Sequence, residues 1–408
     1  MSGQGCGTRR SATACALALL LTLVGLVGCG AQAGPVDTTT REIQTLLDRQ
    51  SRALLDRDQA AYLVGVDPAY APAALAVFRR LAAVPVDGWT YRLTGVDRTA
   101  SDRVTARAEL GYRLRDHDKR PATGARVLDL TERDGRWYVA GDRPADGAPR
   151  HLWEQGEVAA VRGDRSLVLG VGQKPERLRE IAAAADRAVP AVSAAWPSDW
   201  AREVVVLVPG SLQGMGELLG APGASYRGIA AVTTGETRGG ADAPADRVIV
   251  NPEAYGVLGD FGRQLVLTHE TTHVATRAAT TPSTPVWLSE GFADWVAYRD
   301  AGRGPAQAAP ELRRAVRAGE LPARLPEDAD FAFGGEADAL ARAYEGGWLA
   351  CELIADRWGE GELRDFYRAV GAHPAREGAV EKALQEVLGT TPEEFTADWR
   401  AYVGERLG

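Results

Sequence analysis

The stretch Leu267-Thr268-His269-Glu270-Thr271-Thr272-His273, followed by Trp287-Leu288-Ser289-Glu290-Gly291-Phe292-Ala293-Asp294, decides how this chain is read. On a helix His269 and His273 fall one turn apart on the same face, so both imidazoles reach a single metal ion. Glu270 projects beside them, close enough to polarise a metal-bound water but wrongly placed to be a ligand. A third protein ligand would leave the fourth position of a tetrahedral zinc site open, which is the catalytic rather than the structural arrangement. Glu290 supplies that ligand in this reading.

The surroundings match what such a motif requires. Leu265, Val266 and Leu267 precede the histidines and Val274 and Ala275 follow, so the motif sits inside an apolar helix. The bland alternative is a surface helix with two histidines and a glutamate at helical spacing. Burying these groups together without a metal or partners would cost several kcal/mol of desolvation, on the order of that estimated for unpaired buried charge.

These two segments resemble the gluzincin metallopeptidases, most closely the bacterial peptidase MA-like group and more distantly the aminopeptidase N and thermolysin types. The resemblance implies Zn2+ held by His269, His273 and Glu290, with Glu270 as general base for hydrolysis by a zinc-activated water. Asp294 occupies the position from which thermolysin-like members orient a zinc-bound histidine, and a carboxylate there would fix the ring tautomer. Ala343-Tyr344-Glu345-Gly346-Gly347-Trp348-Leu349 resembles the family's tyrosine-bearing stretch, which implies that Tyr344 donates to the oxyanion; Tyr298 and Tyr367 are the alternatives. The chain departs from the aminopeptidase N pattern in two ways. The interval before Glu290 is shorter, with Pro282 and Pro285 marking a tight turn, and no G-x-M-E-N signature precedes the motif. An aminopeptidase assignment is unsupported.

The N-terminus speaks to the compartment. Arg9 and Arg10 precede an apolar run from Ala14 to Val27, shorter than the ~20 residues a membrane span needs, as in a secretory signal. Leu26-Val27-Gly28-Cys29 looks like a bacterial lipobox, which implies cleavage before Cys29, lipidation of that cysteine and anchoring to the extracytoplasmic face of the cell membrane. Cys6 and Cys15 would leave with the signal, so Cys351 would be the one thiol not lipidated, read as a buried packing residue. A net charge of -8, with acidic and basic residues well mixed, leaves no basic stripe for nucleic acid. The expected partners are a peptide or protein substrate and the membrane.

Four regions are expected: residues 1–28 as signal peptide, 29–40 as tether, 41–143 as an accessory domain and 150–408 as the peptidase domain. In the accessory domain Ile43, Leu46, Leu47, Leu54 and Leu55 recur at helical spacing, and 73–81 reads as a second helix. Alternating strands follow at 89–93, 104–110 and 126–130, with an Asp134-Gly135 hairpin turn. Helices followed by a curved antiparallel sheet resemble the NTF2-like cone fold. The charged stretch 115–120, with His117, reads as a solvated loop, and 143–149 as a Pro/Gly-punctuated linker. Beyond it, strands are expected at 166–170, 204–208, 228–232 and 247–250, a helix from Glu176 to about Ala195, and a Gly-rich hairpin loop at 235–240. By resemblance, the strand at 229–232 or its neighbour would pair with substrate backbone.

The expected fold class is therefore α+β: an N-terminal NTF2-like cone domain, then a zincin-type mixed α/β metallopeptidase domain with a helical C-terminal part. A competing reading is a catalytically silent envelope lipoprotein acting as a binding or assembly scaffold. A scaffold would have no use for Glu270, which is not a ligand. Hydrolysis of a non-peptide amide would use the same residues.

Overall fold

The computed structural model describes residues 38–408 except 199, 235–244 and 333–335. The expected signal peptide, the lipobox with Cys29 and the Gly-rich loop at 235–240 therefore lie outside the described residues. The expected tether is corrected at its end: residues 38–40 form the first turn of the helix Thr38–Leu55, whose buried Ile43, Leu47 and Leu54 sit at helical spacing.

Two sheets organise the described residues. The first is an antiparallel meander of β1 (Val86–Ala100), β2 (Arg103–Leu114), β3 (Ala122–Arg133) and β4 (Arg136–Pro144). Along β2, Val104, Ala106, Ala108 and Leu110 are buried at every second position, the signature of a strand with one face in the core. Asp134 and Gly135 both adopt positive φ, 50° and 69°, which is what a two-residue hairpin matched to strand twist requires. Helices Thr38–Leu55 and Ala71–Arg80 pack with this sheet in one core.

The second sheet runs β5 (Val158–Arg162), β6 (Ser166–Val171), β7 (Val204–Val208), β9 (Arg247–Val250), β8 (Ala231–Thr234). Its three central strands are parallel, and β8 lies antiparallel on one edge. The central strands are apolar almost throughout because both faces are covered. Val168, Val206, Val208, Val248 and Val250 meet the helix Pro175–Ala195 and the motif helix Asp260–Thr276. Leu167, Leu169, Val205, Leu207 and Ile249 face the other way, into the core of the first sheet. The strand expected at 228–232 begins later, because Gly228 turns the chain at φ 84° before β8 starts. The edge strand β5 escaped the sequence reading; only Val158 along it is buried, so no alternation marks it.

The expected linker is corrected as well. β4 continues through Pro144, and Arg150 N donates to Glu217 O at 2.8 Å. Trp153 is buried against Trp89 and Tyr112, so this segment is packed between the sheets. The stretch 115–120 is not a solvated loop throughout. The Asp118 carboxylate is fully buried and accepts from Arg247 Nη2 at 2.9 and 2.7 Å, tying the first sheet's β2–β3 connection to β9 of the second. The His117 side chain is buried too, with Nδ1 at 3.1 Å from Glu203. The C-terminal helices Ala337–Arg357, Glu360–Ala372 and Pro392–Leu407 enclose the second motif helix, Val286–Tyr298, in a third core built on Phe292, Trp348, Phe366, Tyr367 and Trp399. No described helix is long and apolar enough to cross a membrane.

Candidate metal centre

The helix Asp260–Thr276 carries polar residues into the interior without leaving them unpaired. The hydroxyls of Thr268, Thr272 and Thr276 donate to the carbonyls of Gln264, Thr268 and Thr272 at 2.9, 2.8 and 3.0 Å. Satisfied this way, the buried face can pack while His269, Glu270 and His273 point to a cavity. The connector after it is short and pinned to the C-terminal helices: Thr281 Oγ1 donates to Gly371 O and Ser283 Oγ to His373 O, each at 2.8 Å. It reverses the chain so that Val286–Tyr298 returns alongside, bringing Glu290 to the histidines.

Close contact of that helix with Ala337–Arg357 depends on two glycines. A Cβ at Gly291 would lie 2.2 Å from Gly347 O, and one at Gly347 would lie 2.7 Å from Trp287 O. The absence of side chains lets the backbones touch. This contact carries Tyr344 and Glu290 towards the same space.

At the centre, His269 Nε2 lies 3.1 Å from His273 Nε2 and 3.2 Å from Glu290 Oε2, and His273 Nε2 lies 3.5 Å from Glu290 Oε2. Donors around a tetrahedral ion at about 2.0–2.1 Å stand roughly 3.3 Å apart, so the three atoms fit zinc without rearrangement. His269 Nδ1 is 2.7 Å from Asp294 Oδ1, which leaves Nε2 facing its two companions. Burial works against a charged His269, yet Asp294 and Glu290 outweigh it and hold its pKa well above the ordinary value. Burial would likewise raise Glu290, but His273 and His269 pull its carboxyl down. The Glu290 carboxylate is thus held ionised beside the two imidazoles.

Glu270 is buried, and the Thr233 hydroxyl on β8 donates to its Oε2 at 2.6 Å. Together with Ala231, Val232, Arg277, Ser289 and Tyr344, these groups line one cavity of about 230 Å³ beside the edge strand. The Tyr344 phenol is kept protonated by burial and by the neighbouring carboxylates of Glu290, Asp294 and Glu270. Its two alternatives lie outside that lining. Tyr298 packs against Trp348, and Tyr367 is buried with its hydroxyl 2.7 Å from Thr280 Oγ1. Cys351 is buried and free, with its pKa raised by burial. Thr233 and Arg277 were missed by the sequence reading. Arg277 could have been found, since it continues the His269–His273 spacing by one more turn; nothing local marks Thr233.

No protein-family model matches the chain, and no curated protein matches it by sequence. Among solved structures, the chain is similar to an M1 zinc metallopeptidase from Deinococcus radiodurans at 14% identity and TM-score 0.35, over 79% of this chain and 95% of that one. A two-domain M1 zinc metallopeptidase mutant bound to L-arginine matches at 14% identity and TM-score 0.34, over 80% and 95%. A Mycobacterium tuberculosis protein of unknown function matches at 18% identity and TM-score 0.23, over 29% and 78%. Overlaps this loose leave the chemistry to be read from the site itself.

Proposed function

We propose that the chain is a zinc metallopeptidase of the gluzincin kind, with His269, His273 and Glu290 as metal ligands. The observation that supports this most is the convergence of three ligand atoms at tetrahedral spacing with Glu270 and Tyr344 in one cavity. Zinc, when bound there, would supply Lewis acidity and lower the pKa of water at the open position. The protein's own groups do the rest. Asp294 holds His269 in the tautomer whose Nε2 lone pair faces the site. Thr233 fixes one oxygen of Glu270, leaving the other to take a proton from the attacking water and hand it to the leaving amine as the carbon–nitrogen bond breaks. The Tyr344 phenol donates to the oxygen on which negative charge develops. An extended peptide would pair with the edge of β8, giving main-chain affinity with little sequence preference.

The remaining parts of the reading are proposals of the same standing: an NTF2-like accessory domain in the first sheet, lipidation at Cys29, and attachment to the extracytoplasmic face of the membrane. The test of the central claim is Glu270→Gln. The purified variant should retain about one zinc per chain and lose roughly 10²–10⁴-fold in peptide hydrolysis. Retained turnover would remove the general base; protein that takes up no zinc at neutral pH would remove the whole reading.

A further inference from the structure

Arg277 lies one turn beyond His273, so His269, His273 and Arg277 form a row on one helix face, and all three line the same cavity. Its guanidinium is anchored from behind. Nε lies 3.2 and 3.0 Å from the two carboxylate oxygens of Asp246, whose side chain is buried. Among the described residues, the hydrogen bonds of Arg277 all leave from Nε. A planar fork binds a carboxylate best through two donors at once, and this pair uses one. Arg126 and Arg247, the buried structural arginines of this chain, both spend Nη atoms on their carboxylates. Among the described residues, Arg277 keeps its orientation through Asp246 while its Nη atoms donate no hydrogen bond, and the residue lines the cavity.

We propose that Arg277 reads a carboxylate on the substrate, so that the preferred peptides carry an acidic group close to the scissile bond. The proposal rests on the peptidase reading for its substrate. The carboxylate has two sources, an acidic side chain or a free C-terminus. An anchored Arg277 could accept it bidentately without first losing rotamer freedom.

The test uses zinc-loaded Glu270→Gln protein, which holds peptides without cleaving them, and calorimetric titration with matched pairs of blocked pentapeptides. One position at a time is Glu or Gln, and a further pair differs only in a free or amidated C-terminus. One pair should show the acidic member binding roughly ten- to a hundred-fold tighter, the span of a charge-assisted hydrogen bond, and the pair that responds identifies the source. Adding Arg277→Gln should abolish that ratio. Arg277→Lys, which keeps the partner of Asp246, should leave the protein folded and reduce the ratio. Equal or absent binding across every pair, or a preference that survives Arg277→Gln, overturns the proposal. Wild-type protein that cleaves none of these peptides, with the carboxylate preference intact in binding, would remove the peptidase reading and leave the role of Arg277 standing.

Discussion

Asp118→Ala tests whether the two sheets are locked by charge as well as by apolar packing. Asp118 is fully buried and receives four hydrogen bonds: two from Arg247 Nη2 at 2.9 and 2.7 Å, one from Ala245 N at 3.0 Å and one from Leu114 N at 2.7 Å. The substitution leaves the Arg247 cation buried without its carboxylate, though still bonded to Ala245 O, and breaking a buried pair costs about 3–5 kcal/mol in comparable cases. The two orphaned amides add to this, but not additively, since each would cost about 1–3 kcal/mol alone. A loss near 4 kcal/mol is expected, roughly a thousandfold in the folded-to-unfolded ratio. Urea unfolding followed by tryptophan fluorescence would measure it. Amide exchange should locate the weakening at β9 and β8, because Arg247 begins β9 and pairs with Thr234 of β8. Since β8 carries Thr233, which bonds Glu270, the proposed peptide turnover should fall too. Replacing the pair together, Asp118→Leu with Arg247→Met, should recover the part of the loss that comes from the unpaired charge, the two amides staying orphaned. A single variant that loses less than about 1 kcal/mol, or a double variant worse than the single, would refute this reasoning.

Other outcomes are equally specific. Gly291→Ala places a Cβ 2.2 Å from Gly347 O, so it should cost at least about 1–3 kcal/mol by thermal melting and weaken zinc binding by displacing Glu290; an unchanged melting point would sink the close-contact argument. Asp294→Asn removes the carboxylate 2.7 Å from His269 Nδ1 and should weaken zinc binding about 10–100-fold in competition with a chelator, whereas equal affinity would strip Asp294 of its positioning role. Burial pushes the His151 imidazole down to about 4 from an ordinary 6.5, so between those values the unfolded chain binds more protons and stability falls as pH falls. That loss reaches about 3 kcal/mol at most, and it should vanish in His151→Asn, which removes the titrating ring; parallel stability–pH curves for the two proteins would contradict it. Glu345, raised to about 7 by burial, works in the opposite sense between its ordinary 4.5 and that value, so the comparison is made with Glu345 intact in both.

The legible part of this protein is the part written within single elements. A helix places every fourth residue on one face, so His269 and His273, and likewise Glu290 and Asp294, could be paired from spacing alone. The Asp134-Gly135 turn and the apolar runs of β6, β7 and β9 are local signals of the same kind. Distances between elements are not written this way. Of three tyrosines, Tyr344 lines the cavity because Gly291 and Gly347 let two helices touch, while Tyr298 and Tyr367 spend themselves in packing and on Thr280. Thr233 reaches Glu270 because β8 falls on the edge beside the motif helix. Asp118 and its charged neighbours read alike in sequence whether solvated or buried, and only the meeting of β2–β3 with β9 singles one of them out. Side-chain periodicity is a property of the backbone and survives in the linear text; burial and pairing belong to the packed chain, where residues far apart in sequence become neighbours.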